Sequence, residues 1–263
     1  MLSEDQYADS AKYEARLYIN RKFKTNPQSK FKWIFEHFPQ KENLRVLELG
    51  CGTGLFWLAN RNEIPPGWQI ILSDYSAGML EVTRKTLSNL RQKFEYRVVN
   101  AEDIDSPDKE FDIILANNML YHLDNRSKAL ADIYRVLKDD GVFVASTMGK
   151  MDMWELNLLL KDFLAKQNRE YSSGEFAFSL ENGQAQLQPF FPNVTLYRFE
   201  DRLKIDEAQA IINYYLSFNN MREGLVVLKT EEVEPFRDYL NKILGERKII
   251  EVTKDSGMFL CRR

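Results

Sequence analysis

The chain has 263 residues, 44% of them hydrophobic and 29% charged, with 36 Lys plus Arg against 39 Asp plus Glu and a net charge of −3. These proportions exclude a disordered or fibrous chain, and the charge balance leaves no strongly basic face for a nucleic-acid backbone. The longest apolar runs, such as Ile113-Ile114-Leu115-Ala116, fall far short of the roughly 18 residues of a membrane span. Met1-Leu2-Ser3-Glu4-Asp5 lacks the basic start and apolar stretch of a signal peptide, so a cytoplasmic protein without a membrane partner is expected. Cys51 and Cys261, with His37 and His122, form neither a disulfide framework nor a zinc spacing. No metal is expected.

Tyr7, Ala11, Glu14 and Tyr18 repeat along one helical face, and Asn26-Pro27 read as cap and first residue of a second helix ending near His37. Residues 44–49 form a short apolar run with branched side chains, closed by Gly50-Cys51-Gly52-Thr53-Gly54 and followed by the helical Leu55-Phe56-Trp57-Leu58-Ala59. The pattern recurs with a strand at 69–73, a helix over 77–90 and a strand at 94–99. Further strands are predicted at 111–116 and 141–146, separated by a helix with Asp124 as N-cap before Ala129, Leu130, Ile133 and Leu137. Five strands alternating with helices require right-handed crossovers and a mainly parallel, doubly wound α/β sheet of Rossmann-like form. After Thr147 the alternation breaks. Helices are predicted at 151–166, 206–217 and 231–244, mixed structure at 176–191, and a strand at 194–199. A turn at Asp255-Ser256-Gly257 inside 248–261 reads as a β-hairpin that completes the sheet with antiparallel pairing.

The strongest signal is Val46-Leu47-Glu48-Leu49-Gly50-Cys51-Gly52-Thr53-Gly54. Its glycines let the backbone turn sharply and approach a ligand. A dinucleotide fingerprint reads GxGxxG and meets a pyrophosphate, whereas this run reads ExGxGxG, and Glu48 would repel phosphate and suit a cationic ligand. With these residues the chain resembles the class I S-adenosylmethionine (SAM) dependent methyltransferases, of the small-molecule, type 11/25-like kind.

That resemblance implies that Gly50, Cys51, Gly52 and Gly54 pass under the methionine part of SAM and that Glu48 supports its amino end. Asp74, at the end of the next strand, is implied to accept both ribose hydroxyls, as a carboxylate can. Tyr75 and Met79 would pack on the adenine, although Met79 is equally a core residue of its helix. Asn100, Ala101 and Glu102 follow the third strand, where the family commonly has an acid at the first position; the Asn100 amide oxygen can still accept from the adenine amino group. Residues 111–124 match the family's fourth-strand motif, which places Asn117 beside the cofactor and Tyr121 and His122 toward the substrate mouth. These two are the candidate catalytic residues, and His122 reads equally as a packing residue of the loop. Leu137-Lys138-Asp139-Asp140-Gly141 resembles the family's turn before the fifth strand.

The resemblance covers residues 44–147. It divides the chain into an N-terminal helical lid (1–40), a SAM-binding core (41–147), a helical cap carrying one strand and the substrate region (148–246), and the C-terminal hairpin (247–263). The implied reaction is in-line methyl transfer to an O, N, S or C nucleophile of a small molecule, yielding S-adenosylhomocysteine (SAH), by a monomer or homodimer. A protein that binds SAM or SAH without turnover, as sensor or partner subunit, is the rival reading, and protein methylation is another. Asn117-Asn118-Met119-Leu120 replaces the Asn-Pro-Pro-Tyr type motif of adenine methylases, which disfavours nucleic acid as substrate. An NAD-dependent oxidoreductase would need the missing GxGxxG. A polyamine synthase would need acids near the fourth strand, where this chain has amides.

Overall fold

A computed structural model of the chain describes residues 10–171, 176–219 and 227–263. The chain folds as two compact units, one made of Gln28–Gly149, Phe176–Phe199 and Ser256–Arg263, the other of Met1–Pro27, Lys150–Glu175 and Glu200–Asp255.

The first is a sheet unit. In chain order it carries α2 (Lys30–Phe35), β1 (Arg45–Leu49), α3 (Leu55–Ala59), β2 (Gln69–Asp74), α4 (Ala77–Leu87), β3 (Phe94–Val98), β4 (Phe111–Asn117), α5 (Arg126–Val136), β5 (Leu137–Met148) and α7 (Gly183–Leu187). Strands β6 (Asn193–Ile205) and β7 (Ile250–Arg262) run through both units. The sheet order is β3-β2-β1-β4-β5-β7-β6. β1 pairs in parallel with β2 and β4, β2 with β3, and β4 with β5, while β7 runs antiparallel to β5. This is the Rossmann-like architecture read from the alternation of elements.

Strand periodicity explains the two covered faces. Leu47 and Leu49 of β1 join Ile114, Phe143, Leu130 and Ile133 in one core, and Val46 joins Ile34, Trp57, Ile70 and Leu80 in the other. Each such buried side chain contributes about 1.5–3 kcal/mol. The order reverses between β1 and β4, and in open α/β sheets the crevice at the strand ends beside such a reversal is where ligands bind.

The second unit has its own core. Helices α1 (Ser10–Phe23), α6 (Trp154–Ala165), α8 (Ala208–Leu216) and α9 (Val233–Arg247) bring Ile19, Phe23, Leu156, Leu160, Ile211, Tyr215, Phe236 and Leu240 together.

Several sequence expectations change. The C-terminal hairpin is one continuous strand, β7, because residues 256–262 pair without interruption against Val142–Met148. Asn26 does not cap a helix: its backbone N–H and side-chain amide donate to Asp201 Oδ1 at 2.9 Å and to the Glu200 carbonyl at 2.7 Å. α2 starts three residues after Pro27, with Ser29 at the cap position. Asn125, rather than Asp124, caps α5 by accepting from the Lys128 N–H. The expected turn at Lys138–Gly141 is an irregularity within β5, where the register steps from Phe111↔Leu137 to Ile113↔Val142. The lid and cap boundaries also shift. α1 belongs to the second unit and α2 to the sheet unit, and Phe178, Leu187 and Phe191 pack in the sheet unit's core on the same side as Phe143 and Phe259. Tyr7 lies outside the described residues. Among those described, no helix is long and apolar enough to cross a membrane.

Candidate functional site

The site residues read from the sequence fall on the sheet unit. Most follow the C-terminal ends of β1, β2, β3 and β4. The glycine loop leaves β1 with Gly50, Gly52 and Gly54 all at positive φ (70°, 55° and 74°), a region that costs an L-residue roughly 1–2 kcal/mol. Space separates the glycines further. A Cβ at Gly52 would meet nothing within 4 Å, whereas one at Gly54 would lie 2.9 Å from Thr83 Cγ2 of α4. Gly54 is therefore needed for packing, and Gly52 leaves open room where a ligand can approach the backbone.

Neighbouring elements hold the loop in place. The Cys51 N–H donates to the Ser73 carbonyl at 2.8 Å, and the Thr83 hydroxyl donates to the Gly52 carbonyl. The Cys51 sulfur lies 3.6 Å from Thr83 Oγ1, and burial pushes its thiol well above the usual range. Asp74, the last residue of β2, uses both carboxylate oxygens: Oδ2 accepts from Gly52 N–H at 3.0 Å and Oδ1 from Ser76 N–H at 2.9 Å. Burial raises the Asp74 pKa, and these N–H donors oppose the rise. Each oxygen keeps lone-pair capacity for a further donor, so a ribose diol can be accommodated.

Glu48 sits beneath the loop, 1% exposed. Its Oε2 accepts from the Trp57 indole N–H at 2.7 Å, and its carbonyl accepts from the Ser73 hydroxyl at 2.7 Å. Burial pushes Glu48 up to about 8; the indole hydrogen bond opposes this and the charge of Asp74 adds to it. The folded chain therefore holds a proton that the unfolded chain, with an ordinary value of 4.5, gives up as pH rises from 4.5 to about 8. Stability contributed by neutral Glu48 is accordingly present below pH 4.5 and lost as pH rises through the folded value. Glu48→Gln removes this dependence while keeping an acceptor for Trp57. Its melting temperature should fall less between about pH 5 and 8 than that of the parent, and parallel melting curves for the two proteins would refute the assignment.

The remaining predicted residues separate into walls and ties. Met79 is buried on α4, whereas Tyr75 is 70% exposed. Asn100 is exposed and folds back on its own turn, its Oδ1 accepting from Glu102 N–H at 2.9 Å. Ala101 is buried. Glu102 Oε1 accepts from Asn125 N–H at 2.8 Å, tying this turn to the start of α5. At the end of β4, Asn117 accepts from the Ser146 hydroxyl of β5, and Asn118 N–H donates to the Ser146 carbonyl at 3.1 Å. Tyr121 and His122 lie on the one-turn 3-10 helix that follows, their rings 4.3 Å apart, with Phe176 5.8 Å from Tyr121.

The structure thus joins Gly52 directly to Asp74 and places Glu48 beneath the same loop. It also adds Trp57, Ser73, Thr83 and Ser146, which sequence reasoning did not single out. Thr83 had a signal: it is the polar member of the buried stripe Met79-Thr83-Leu87 on α4, and a buried hydroxyl needs a partner. Trp57 had none, because an aromatic residue in an apolar helix reads as core.

The sequence model of a family described as "Methyltransferase domain" matches residues 47–145. The chain is 27% identical over 188 residues to a "Ubiquinone/menaquinone biosynthesis C-methyltransferase UbiE" of Hydrogenovibrio crunogenus, covering 70% of each chain. It is 33% identical over 121 residues to the protein of the same name from Pectobacterium atrosepticum, covering 45% of this chain and 48% of that one. Among solved structures, a SAM dependent methyltransferase from Aquifex aeolicus shares the fold at a TM-score of 0.50 and 15% identity, over 71% of this chain and 89% of the other. The YcgJ protein of Bacillus subtilis does so at 0.56 and 18%, over 89% and 97%. Residues 47–145 thus match a methyltransferase domain, and the β3-β2-β1-β4-β5-β7-β6 sheet with the glycine loop at its reversal point is a fold shared with SAM-dependent methyltransferases.

Proposed function

We propose that the protein moves the methyl group of SAM to a small-molecule acceptor by in-line displacement, and that it does so in the cytoplasm. The observation that carries this reading is the clamp of Asp74 on Gly52, with Glu48 buried beneath the same loop. It offers lone pairs for a ribose diol and a carboxyl for a cationic amino end, and it leaves open space over Gly52. SAM supplies a methyl group already activated by its sulfonium charge.

What the chain contributes is alignment. Holding donor and acceptor in reactive geometry is worth roughly 7–11 kcal/mol. The acceptor's electron pair forms the new bond to the methyl carbon, the carbon–sulfur bond breaks toward sulfur, and SAH departs. Where the acceptor is an acid, its proton goes to a base, and His122 and Tyr121 on the 3-10 helix after β4 are the residues assigned to receive it. The relatives named as C-methyltransferases of ubiquinone and menaquinone biosynthesis make an electron-rich carbon the acceptor atom to test first.

Calorimetric titration with SAM, SAH and NAD tests the premise. Micromolar binding of SAM and SAH without an NAD signal is the expected result, followed by SAH release when a quinol-like acceptor is added. A protein that binds neither SAM nor SAH would overturn the reading. One that binds both, yet releases no SAH with any acceptor, would leave the non-catalytic binder in its place.

A further inference from the structure

Trp57 has a polar function that its surroundings conceal. It is fully buried, with ring centroids of Phe56, Phe94 and Phe35 at 5.2, 6.0 and 6.4 Å. Aromatic neighbours would be satisfied by phenylalanine. Only an indole, though, places an N–H 2.7 Å from Glu48 Oε2, in a part of the molecule closed to water. The indole is also rigid, since three rings fix its plane and so the direction of its N–H.

We propose that Trp57 is a positioning residue of the cofactor site, holding the Glu48 carboxyl in the orientation and charge state that receive the amino end of SAM or SAH. The inference rests on the reading of the glycine loop as the cofactor site. Glu48 faces a crowded, electronegative neighbourhood. The Asp74 carboxylate of β2 and the Cys51 thiol of the loop are the titratable groups coupled to it, and the Trp57 indole of α3 is the donor that answers them. Without that N–H, burial beside Asp74 would leave Glu48 protonated to higher pH, and a neutral carboxyl binds an ammonium weakly. Arrival of the ammonium would favour the ionised form, so binding would release a proton below about pH 8.

The probes are SAH, which carries the amino-acid end, and 5′-methylthioadenosine, which carries the nucleoside without it. In the parent protein, SAH affinity should rise from about pH 6 to 8, with proton release in calorimetry run in two buffers, while methylthioadenosine affinity stays flat. Trp57→Phe should lose about tenfold in SAH affinity at neutral pH and move the rise to higher pH, leaving methylthioadenosine unchanged as the internal check on folding. Glu48→Gln, which keeps Trp57 and its ring packing, should abolish both the pH dependence and the proton release. SAH binding by Trp57→Phe with the parental affinity and pH profile would overturn the proposal. So would equal weakening of both probes by Trp57→Phe, which would mark the indole as packing alone. Failure of the parent to bind either probe would instead strike the reading of the site itself.

Discussion

Replacing Asp74 with Ala is expected to weaken SAM and SAH binding about a hundredfold. The carboxylate of Asp74 has two tasks. Its two oxygens hold the Gly52 and Ser76 amides, and the lone pairs left over are those a ribose diol would meet. A hydrogen bond to a charged acceptor is worth about 1.5–3 kcal/mol. Losing two such contacts therefore costs about 3 kcal/mol or more, which is roughly two decades in affinity. The variant also frees the Gly52 amide, so the loop loses a latch as well as the ligand an acceptor. Asp74→Asn keeps one oxygen and should fall between Ala and the parent. Calorimetry with SAH and its 2′-deoxy analogue separates the two contributions: the parent should prefer SAH, and the Ala variant should bind both alike. Unchanged SAH affinity in a folded Ala variant would remove Asp74 from the site.

Asp74 and Glu48 show how one glycine loop uses two carboxyls differently. Asp74 accepts from the Gly52 and Ser76 N–H groups, which counter its burial, whereas Glu48 has a single neutral donor and is pushed up to about 8. Burial raises both carboxyls, and the hydrogen-bond donors around each set how strongly that rise is opposed. Under the proposed function, Asp74 would meet the neutral ribose diol and Glu48 the cationic amino end.

The centre of the sheet was legible because β1, β2 and β4 are short apolar runs ended by glycine or a polar residue, and α4 and α5 carry buried apolar stripes. The ExGxGxG spacing likewise marked the loop, where backbone conformation restricts residue choice, whereas Asp74 was singled out by its place at the next strand end and by the family resemblance. The rest depends on partners distant in the chain. Nothing local shows that Asn26 binds the Glu200 carbonyl, that Glu102 ties to Asn125 N–H, or that Thr83 faces Gly52. Trp57 is harder still, since its packing and its hydrogen bond use the same side chain. The second unit was legible only as helices. Its core draws α1 together with segments more than a hundred residues later, and no motif in the sequence announces that pairing.

Asp255-Ser256-Gly257 is the clearest misreading, and it leads to a stability prediction. In the sequence the glycine signals a turn, but in the structure it lies in β7, opposite Thr147 of β5. A Cβ at Gly257 would stand 2.3 Å from the Tyr197 carbonyl oxygen of β6 and 3.2 Å from Arg198 Cα. The obstacle is backbone on a neighbouring strand, so no rotamer change relieves it. β7 is also flanked by β5 on its other side, so moving away from β6 strains the Thr147 pairing. Gly257→Ala should therefore destabilise the sheet unit by about 3 kcal/mol, at the upper end of overpacking costs, and lower its melting temperature by about 6–12 °C. Gly245→Ala is the matched control. It lies in α9 with nothing within 4 Å of its Cβ, and should stabilise by about 0.5–1 kcal/mol because alanine suits a helix interior. Opposite signs for the same chemical change would show that close strand approach, rather than turn conformation, selects glycine at position 257. A Gly257→Ala protein that melts like the parent would show that β6 and β7 do not pack as tightly as described.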